Sequence, residues 1–302
     1  MRWAIRHRNG GGGGRSIRVL AVLVATSAAG CATVPRENLT GFATTTAAIR
    51  TSVDQNFAEA NRLARSVAIE DFVRSGAIGL TERRFPAAVP TEVASAWRGS
   101  LADLQRYASS LATLSSGSRG GDAALAMRAV GVGLRDGRSG VNLDPGIAAA
   151  FSGLAGTLID LKASSDALDI MRRTDHDVRR LLASMADAVG RSDGEGLRGT
   201  VVSNWTAVLS DTQKNYAVAA AENAEGRQRT LVAEFLAGIE KRDAQLCSLA
   251  DLRASLLELA DAHAAASAGV KRPFDVVDAD VTRRLRAVDE TYRAVEKAGG
   301  VR

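Results

Sequence analysis

Three histidines, two cysteines and five lysines are the side chains of this 302-residue sequence best suited to nucleophilic or metal chemistry, and their spacing restricts what they could do. A zinc helix of the H-E-x-x-H type needs two imidazoles one turn apart, and a di-iron bundle needs Glu-x-x-His pairs. His176 and His263 offer neither arrangement. No lysine among Lys162, Lys214, Lys241, Lys271 and Lys297 has a serine three residues before it, so no S-x-x-K nucleophile is present. Phosphate loops of the G-x-x-x-x-G-K-[ST] form and G-x-S-x-G elbows are also missing. Asp278-Ala279-Asp280 begins like a calcium loop but lacks the third ligand and the turning glycine. The residues therefore predict no catalytic group, no metal site and no cofactor. His176, between Asp175 and Asp177, reads as a solvated or capping residue, and His263, beside Leu256 and Ala260, as a core histidine with its hydrogen bonds satisfied. Cys247 reads as a small buried residue beside Leu246 and Leu249.

Cys31 has a different setting. Residues 1–30 hold Arg2, Arg6, Arg8, Arg15 and Arg18 with no acid, then an apolar run Val19–Ala25, then the small residues Ala28-Ala29-Gly30 directly before Cys31. A positive segment, a short apolar segment and a small-residue end form a secretory leader. The twelve residues from Val19 to Gly30 fall short of the ~20 that a spanning helix needs. Ala28-Ala29-Gly30-Cys31 resembles the lipobox of bacterial lipoprotein precursors. That resemblance implies cleavage before Cys31, a diacylglyceryl group on its thiol and acylation of the new amino terminus. Ala28 departs from the leucine preferred there, and Ala32, where a retention signal would resemble aspartate, implies the periplasm-facing side of an outer membrane. Two or three acyl chains, at about 0.8 kcal/mol per buried CH₂, anchor a protein stably where one does not.

The same segment accounts for the net charge of +5. Removing its five arginines from 39 basic residues leaves 34 to balance 34 acids. Basic pairs such as Arg179-Arg180 and Arg283-Arg284 alternate with acids, and aromatics make up only 4% of the chain, so nothing forms a phosphate-tracking stripe with stacking platforms. Nucleic acid is excluded as the expected partner. A mean hydropathy of −0.04 excludes a polytopic membrane protein.

The remaining elements must be helices. The five prolines are Pro35, Pro86, Pro90, Pro145 and Pro273, and the long proline-free stretch between the last two is rich in Ala, Leu, Arg and Glu. Apolar residues recur at 3/4 spacing in about six patterns. The first runs from Leu39 to Arg74 through Ile49, Val53, Phe57, Ala60, Ala64 and Val67. The second starts with Thr91 as N-cap and carries Val93, Trp97, Leu101, Leu104, Ala108 and Leu111. A third is short, Asp122 to Asp136. A fourth opens at Asp144-Pro145 and follows Ile147, Phe151, Leu154, Leu158, Leu161, Ser165 and Leu168, with a kink or break expected near Arg172–Asp175, where Thr174 and Asp177 could form a capping box. It resumes at Val178, Leu182, Met185 and Val189. A fifth runs from Val201 to Ala260 with a break near Gly226, and a sixth spans Asp278 to Lys297. Ala149, Gly153 and Gly156 would let helix backbones approach closely.

The expected fold is all-α, an elongated antiparallel bundle, with residues 1–30 as a cleaved leader, 31–38 as lipidated terminus and tether, and 39–302 as one helical domain. The expected role is non-enzymatic: a lipid-anchored structural or adaptor protein of the cell envelope, held to the membrane by Cys31 and engaging a protein or cell-wall partner. Arg83, Arg84 and Phe85, in the loop between Gly76 and Pro90, are the candidate partner contact. The alternative is an accessory ligand-binding or transport lipoprotein with a pocket lined by Trp97, Phe151 or Trp205.

Overall fold

A computed structural model describes residues 34–116, 120–136, 145–161, 166–269, 279–281 and 283–284, the side chains of 120–124 and 136 excepted. Among them are seven α-helices, one 3₁₀ turn and no strand. They are α1 (Arg36–Arg74), α2 (Thr91–Ser115), α3 (Gly120–Asp136), α4 (Pro145–Ile159), α5 (Ala167–Val189), α6 (Gly196–Ala221) and α7 (Glu225–Ser267), with the turn at Glu82–Arg84. The all-α bundle read from the apolar spacing is the fold observed. Helix α1 packs on α2, each of α2 to α5 packs on the next, and α7 closes the bundle by packing on α5, α1 and α6.

Cross-helix pairs fix the direction of packing. Between α6 and α7, Arg198 Nη1 donates to the Leu246 carbonyl (2.9 Å), Trp205 Nε1 to Gln245 Oε1 (2.8 Å) and Gln228 Nε2 to the Ala219 carbonyl (3.3 Å), so the two run antiparallel. Between α5 and α7, Arg172 Nε donates to the Ser267 carbonyl (3.2 Å) and Asp175 bonds His263 (3.1 Å), with Arg253 3.9 Å from Asp187 further along, again antiparallel. One core joins the stripes of every helix from Leu39 to Ala266, and Val281 beyond them.

Several boundaries differ from the spacing. Helix α2 begins at Thr91 with Pro90 in the capping position: Pro90 is still extended (φ −57°, ψ 149°) but its carbonyl already accepts from the Ala94 amide at 3.0 Å, so Thr91 is the first helical residue rather than the cap. No break occurs at Thr174, which sits inside α5. The chain turns instead between α4 and α5, and Asp166 caps α5 by accepting from the Asp169 amide at 2.7 Å. The break expected near Gly226 is present, but its left-handed residue is Asn223 (φ +53°), after which α7 starts at Glu225. Gly153 is closely packed, since a Cβ there would lie 2.6 Å from Asp177 Oδ1, whereas Gly156 has open space around it. Gly131 of α3 permits a close backbone approach to α4, since a Cβ there would meet the Ala155 carbonyl at 2.9 Å. The sixth pattern lies outside the described residues apart from helical residues 279–281 and 283–284. There Arg284 pairs with Glu258 of α7 at 2.8 Å.

The α5–α6 turn depends on Gly190, whose φ of +106° is reached only by glycine and whose Cβ would stand 2.2 Å from the Glu195 carbonyl oxygen. Gly190→Ala should lower the unfolding free energy by about 2–3 kcal/mol. Gly156→Ala, in an open mid-helix position, should raise it by up to about 1 kcal/mol. Urea midpoints of the two variants check this; equal midpoints would contradict the assignment of strain to the turn.

Candidate functional site

The chemistry-bearing side chains that the fold does bring together form a buried hydrogen-bonded chain across α2, α5 and α7. Four helices surround it because Phe42 of α1 packs its ring 5.6 Å from the His263 ring. His263 is wholly buried; its Nδ1 lies 3.1 Å from Asp175 Oδ1 and its Nε2 3.0 Å from Tyr107 Oη. Tyr107 Oη is also 2.6 Å from Thr174 Oγ1, which is 2.9 Å from the Ile170 carbonyl. On the solvent side, Arg179 Nε pairs with Asp175 Oδ2 at 2.9 Å.

Proton positions follow from this order. The hydrogen bond from His263, with Arg179 beside it, holds the Asp175 carboxyl below its ordinary range, so Asp175 is an acceptor. His263 Nδ1 must then carry a proton and donate to it. Burial pushes the His263 imidazole down, favouring the neutral ring, whose Nε2 accepts the Tyr107 hydroxyl proton. Burial likewise drives the Tyr107 hydroxyl well above its usual range, so it stays protonated. Thr174 in turn donates its single proton to Tyr107 Oη, with the Ile170 carbonyl 2.9 Å away as the other acceptor within its reach. Each polar atom along the line has a partner, which is what a desolvated polar group requires.

Carboxylate, imidazole and hydroxyl in series are the parts of a nucleophilic triad. Here the terminal hydroxyl belongs to a tyrosine with no exposure and is already bonded to Thr174, so it is not presented to a substrate. The chain ties together helices that are far apart in sequence. His263 is thus the satisfied core histidine that its stripe suggested, while His176 is exposed, with Nδ1 3.5 Å from Asp177. Tyr107, next to Ala108 of the α2 seam, carries no signal of this role in the sequence, and Thr174 reads there as a helix cap. Among the described residues no three His, Cys, Asp or Glu side chains group as metal ligands do.

Of the residues singled out from sequence, Ala28, Ala29, Gly30 and Cys31 lie outside the described residues. Arg83 and Arg84 are exposed in the 3₁₀ turn, but Phe85 is pinned, its ring 5.5 Å from that of Phe72. Cys247 is exposed rather than buried, because it sits about 200° around α7 from both Gln245 and Leu249, which face the core. The three proposed pocket aromatics do not converge. Phe151 is packed in the core, Trp205 bonds Gln245, and Trp97 stacks edge-on to Phe57 (5.3 Å) at an open pocket of about 240 Å³ shared with Val89 and Leu197.

Tyr107→Phe leaves His263 Nε2 without a donor in the core and should cost about 1–3 kcal/mol, read as a lower urea midpoint at pH 7.5. Acid should act through His263. Below its ordinary value of about 6.5 the unfolded chain takes up a proton that the folded chain, with its depressed pKa, still refuses. Stability therefore falls as pH drops from about 6.5 toward the folded value, by at most about 1.4 kcal/mol per pH unit. His263→Gln should flatten that slope in urea titrations between pH 7.5 and 5.5, and an unchanged slope would assign the loss to other groups. Compared with protein-family models, with curated proteins and with solved structures, the chain matches none, and its function is read from its own geometry.

Proposed function

We propose that this protein is a lipid-anchored, non-enzymatic helical-bundle lipoprotein of the bacterial cell envelope, facing the periplasm from the outer membrane and serving as a structural or adaptor component. The observation that carries this reading is the uneven distribution of exposed apolar side chains. Ten large ones are exposed among the described residues, and eight of them belong to the end of α1, the loop after it, and the α6–α7 hairpin: Ile69, Val73, Ile78, Leu80, Tyr216, Val218, Val232 and Leu236. Ile78 is 96% exposed and Leu80 78%. Arg74 of α1 pairs with Asp211 of α6, which puts the end of α1 beside the hairpin.

The start of α1 lies at the other end, where Phe42 meets His263. With 39 residues, α1 is about 58 Å long. Cys31 precedes Val34 by three residues, which extend no more than about 11 Å. A lipid on Cys31 would attach the protein close in sequence to the start of α1, and the apolar end lies at the opposite end of that helix. Exposed apolar groups held there suit contact with another envelope component. Arg83 and Arg84 follow Ile78 and Leu80 in the same loop and would supply a polar rim to that patch. No helix among the described residues is long and apolar enough to cross a membrane, so attachment in this reading falls to the lipid. The ligand-binding alternative has less support, because the pocket beside Trp97, at about 240 Å³, is smaller than the ~300–1,000 Å³ usual for small-molecule sites.

Fractionation and intact mass test the anchor. Wild-type chain should partition with membranes and carry the acyl mass, while Cys31→Ser should be soluble and lack it; identical behaviour would remove the anchor from the proposal. For the distal contact, envelope crosslinking through a photoreactive residue at Ile78 should yield an adduct that is lost in Leu80→Asp. Absence of any adduct with protein, peptidoglycan or lipopolysaccharide would count against the adaptor role.

A further inference from the structure

We propose that the α6–α7 hairpin is a homotypic docking arm, pairing with the hairpin of a second copy through the face that carries Tyr216, Val232 and Leu236. This contact lies beyond the adaptor reading and does not depend on the lipid. Past the Trp205–Gln245 bond the hairpin has little core of its own: between Thr212 and Glu240 only Ala219 and Leu231 are buried. Tyr216 is 40% exposed, Val232 45% and Leu236 55%, and together with Thr212, Gln213 and Phe235 they line an apolar groove of about 240 Å³. That volume accepts one or two large side chains, as helix-to-helix knobs require.

Charge selects the occupant. From Asp211 to Lys241 the hairpin holds five acids and four bases, so it lacks the basic excess that an anionic bilayer draws to itself. Its charges match themselves at Arg229 and Glu240, while the acids Glu225 and Asp243 that fall opposite each other are each paired within their own chain, to Arg229 and Arg242. At about 100° per residue, Glu225, Arg229, Val232, Leu236 and Glu240 occupy an arc of about 80° on α7. An antiparallel copy related by a two-fold axis near Glu234 sets Val232 of one chain on Leu236 of the other, twice. The same operation brings Arg229 against Glu240 of the second chain, again twice, as an isologous interface demands. Both partners are free to engage: Arg229 is exposed and only weakly held by Glu225 at 3.4 Å, and among the described residues Glu240 has no ion pair in its own chain.

The available surface is sufficient. Sixteen residues of α6 beyond Trp205 extend about 24 Å, and two adjacent helices are about 19 Å wide, giving a footprint of ~450 Å² per copy. Doubled, this approaches the ~1,000 Å² of a specific interface before side-chain relief is counted.

Sedimentation equilibrium of the full chain in mild detergent, from about 1 to 100 μM, tests the proposal. The wild type should dimerise in that range, and Cys31→Ser should dimerise equally. Leu236→Glu should be monomeric. Arg229→Glu and Glu240→Arg should each weaken association at least about tenfold by facing like charges, and the double variant R229E/E240R should restore it. Arg229, Leu236 and Glu240 are exposed, and circular dichroism verifies that each variant is folded. A wild type that stays monomeric at 100 μM, a dimer lost with Cys31→Ser, or a double variant no better than its weaker parent would overturn the proposal. So would a monomeric chain that binds anionic phosphatidylglycerol vesicles and loses that binding in Leu236→Glu.

Discussion

A buried imidazole is compatible with a folded core only if both ring nitrogens are bonded, and His263 meets that condition by drawing on two other helices. Asp175 of α5 takes its Nδ1 proton and Tyr107 of α2 occupies its Nε2. Loss of either partner would leave a polar atom in a site that water does not reach, so the positions of α2, α5 and α7 are specified jointly rather than pairwise. Apolar stripes alone would tolerate a helix sliding by a turn, because leucine against leucine packs acceptably in several registers. The Asp175–His263–Tyr107–Thr174 line does not, since each link spans a single hydrogen-bond length. It can also carry a proton without breaking. If His263 Nε2 is protonated it donates to Tyr107 Oη, Tyr107 turns its proton to Thr174, and Thr174 turns its own to the Ile170 carbonyl. What opposes protonation is desolvation of the cation, not loss of a partner.

The bundle is held most firmly where this line lies and more loosely away from it. Buried residues are dense along α5 and the second half of α7, whereas the buried positions of α1 end at Leu63, eleven residues before the helix does. Beyond that point α1 is fastened by Phe72 on Phe85 and by Arg74 on Asp211. Exposed ion pairs of this kind contribute little individually. Segments with few buried apolar neighbours open locally at lower free energy than the core. The end of α1 and the tip of the hairpin are such segments, and they carry most of the exposed apolar side chains.

Helix content and most of the core could be read from spacing, since the stripes Ile49–Ala60, Trp97–Leu111, Ile147–Leu161 and Val178–Val189 all turn inward. The failures have specific causes. Leu161, two residues past the end of α4, and Leu168 of α5 stand seven residues apart, and that coincidence made one continuous heptad of α4 and α5. Thr174 looked like an interruption because a polar residue on a stripe is more often a cap than a core residue; its hydroxyl is satisfied by its own helix and by Tyr107, a long-range contact that no local pattern contains. Cys247 adjoins buried residues in sequence but not around the helix. The turn between α6 and α7 falls on Asn223, and asparagine tolerates the left-handed conformation without announcing it as glycine does. Of the polar line, His263 was legible from its stripe position; its partners were not, because they come from elements remote in sequence.

The α6–α7 hairpin shows why length mismatch, rather than hydrophobicity, shapes this molecule. Helix α7 has 43 residues and α5 only 23, so more than half of α7 is in excess of what its main neighbour can cover if the two are in register at His263. Helix α6 covers one side of that excess, with Trp205 on Gln245 and Leu209 against Gly238, where a Cβ would sit 2.9 Å from the leucine methyl. The flank beside Tyr216 of α6 retains Val232 and Leu236 on an arc that carries charge of both signs. A two-helix ribbon buries one seam only, and every further apolar residue on it must face solvent or another surface. A sequence selected only for solubility would place charged residues at positions 232 and 236, as it does at 225, 229 and 240. Their being valine and leucine is therefore a property of the surface the arm presents, not of the fold that holds it.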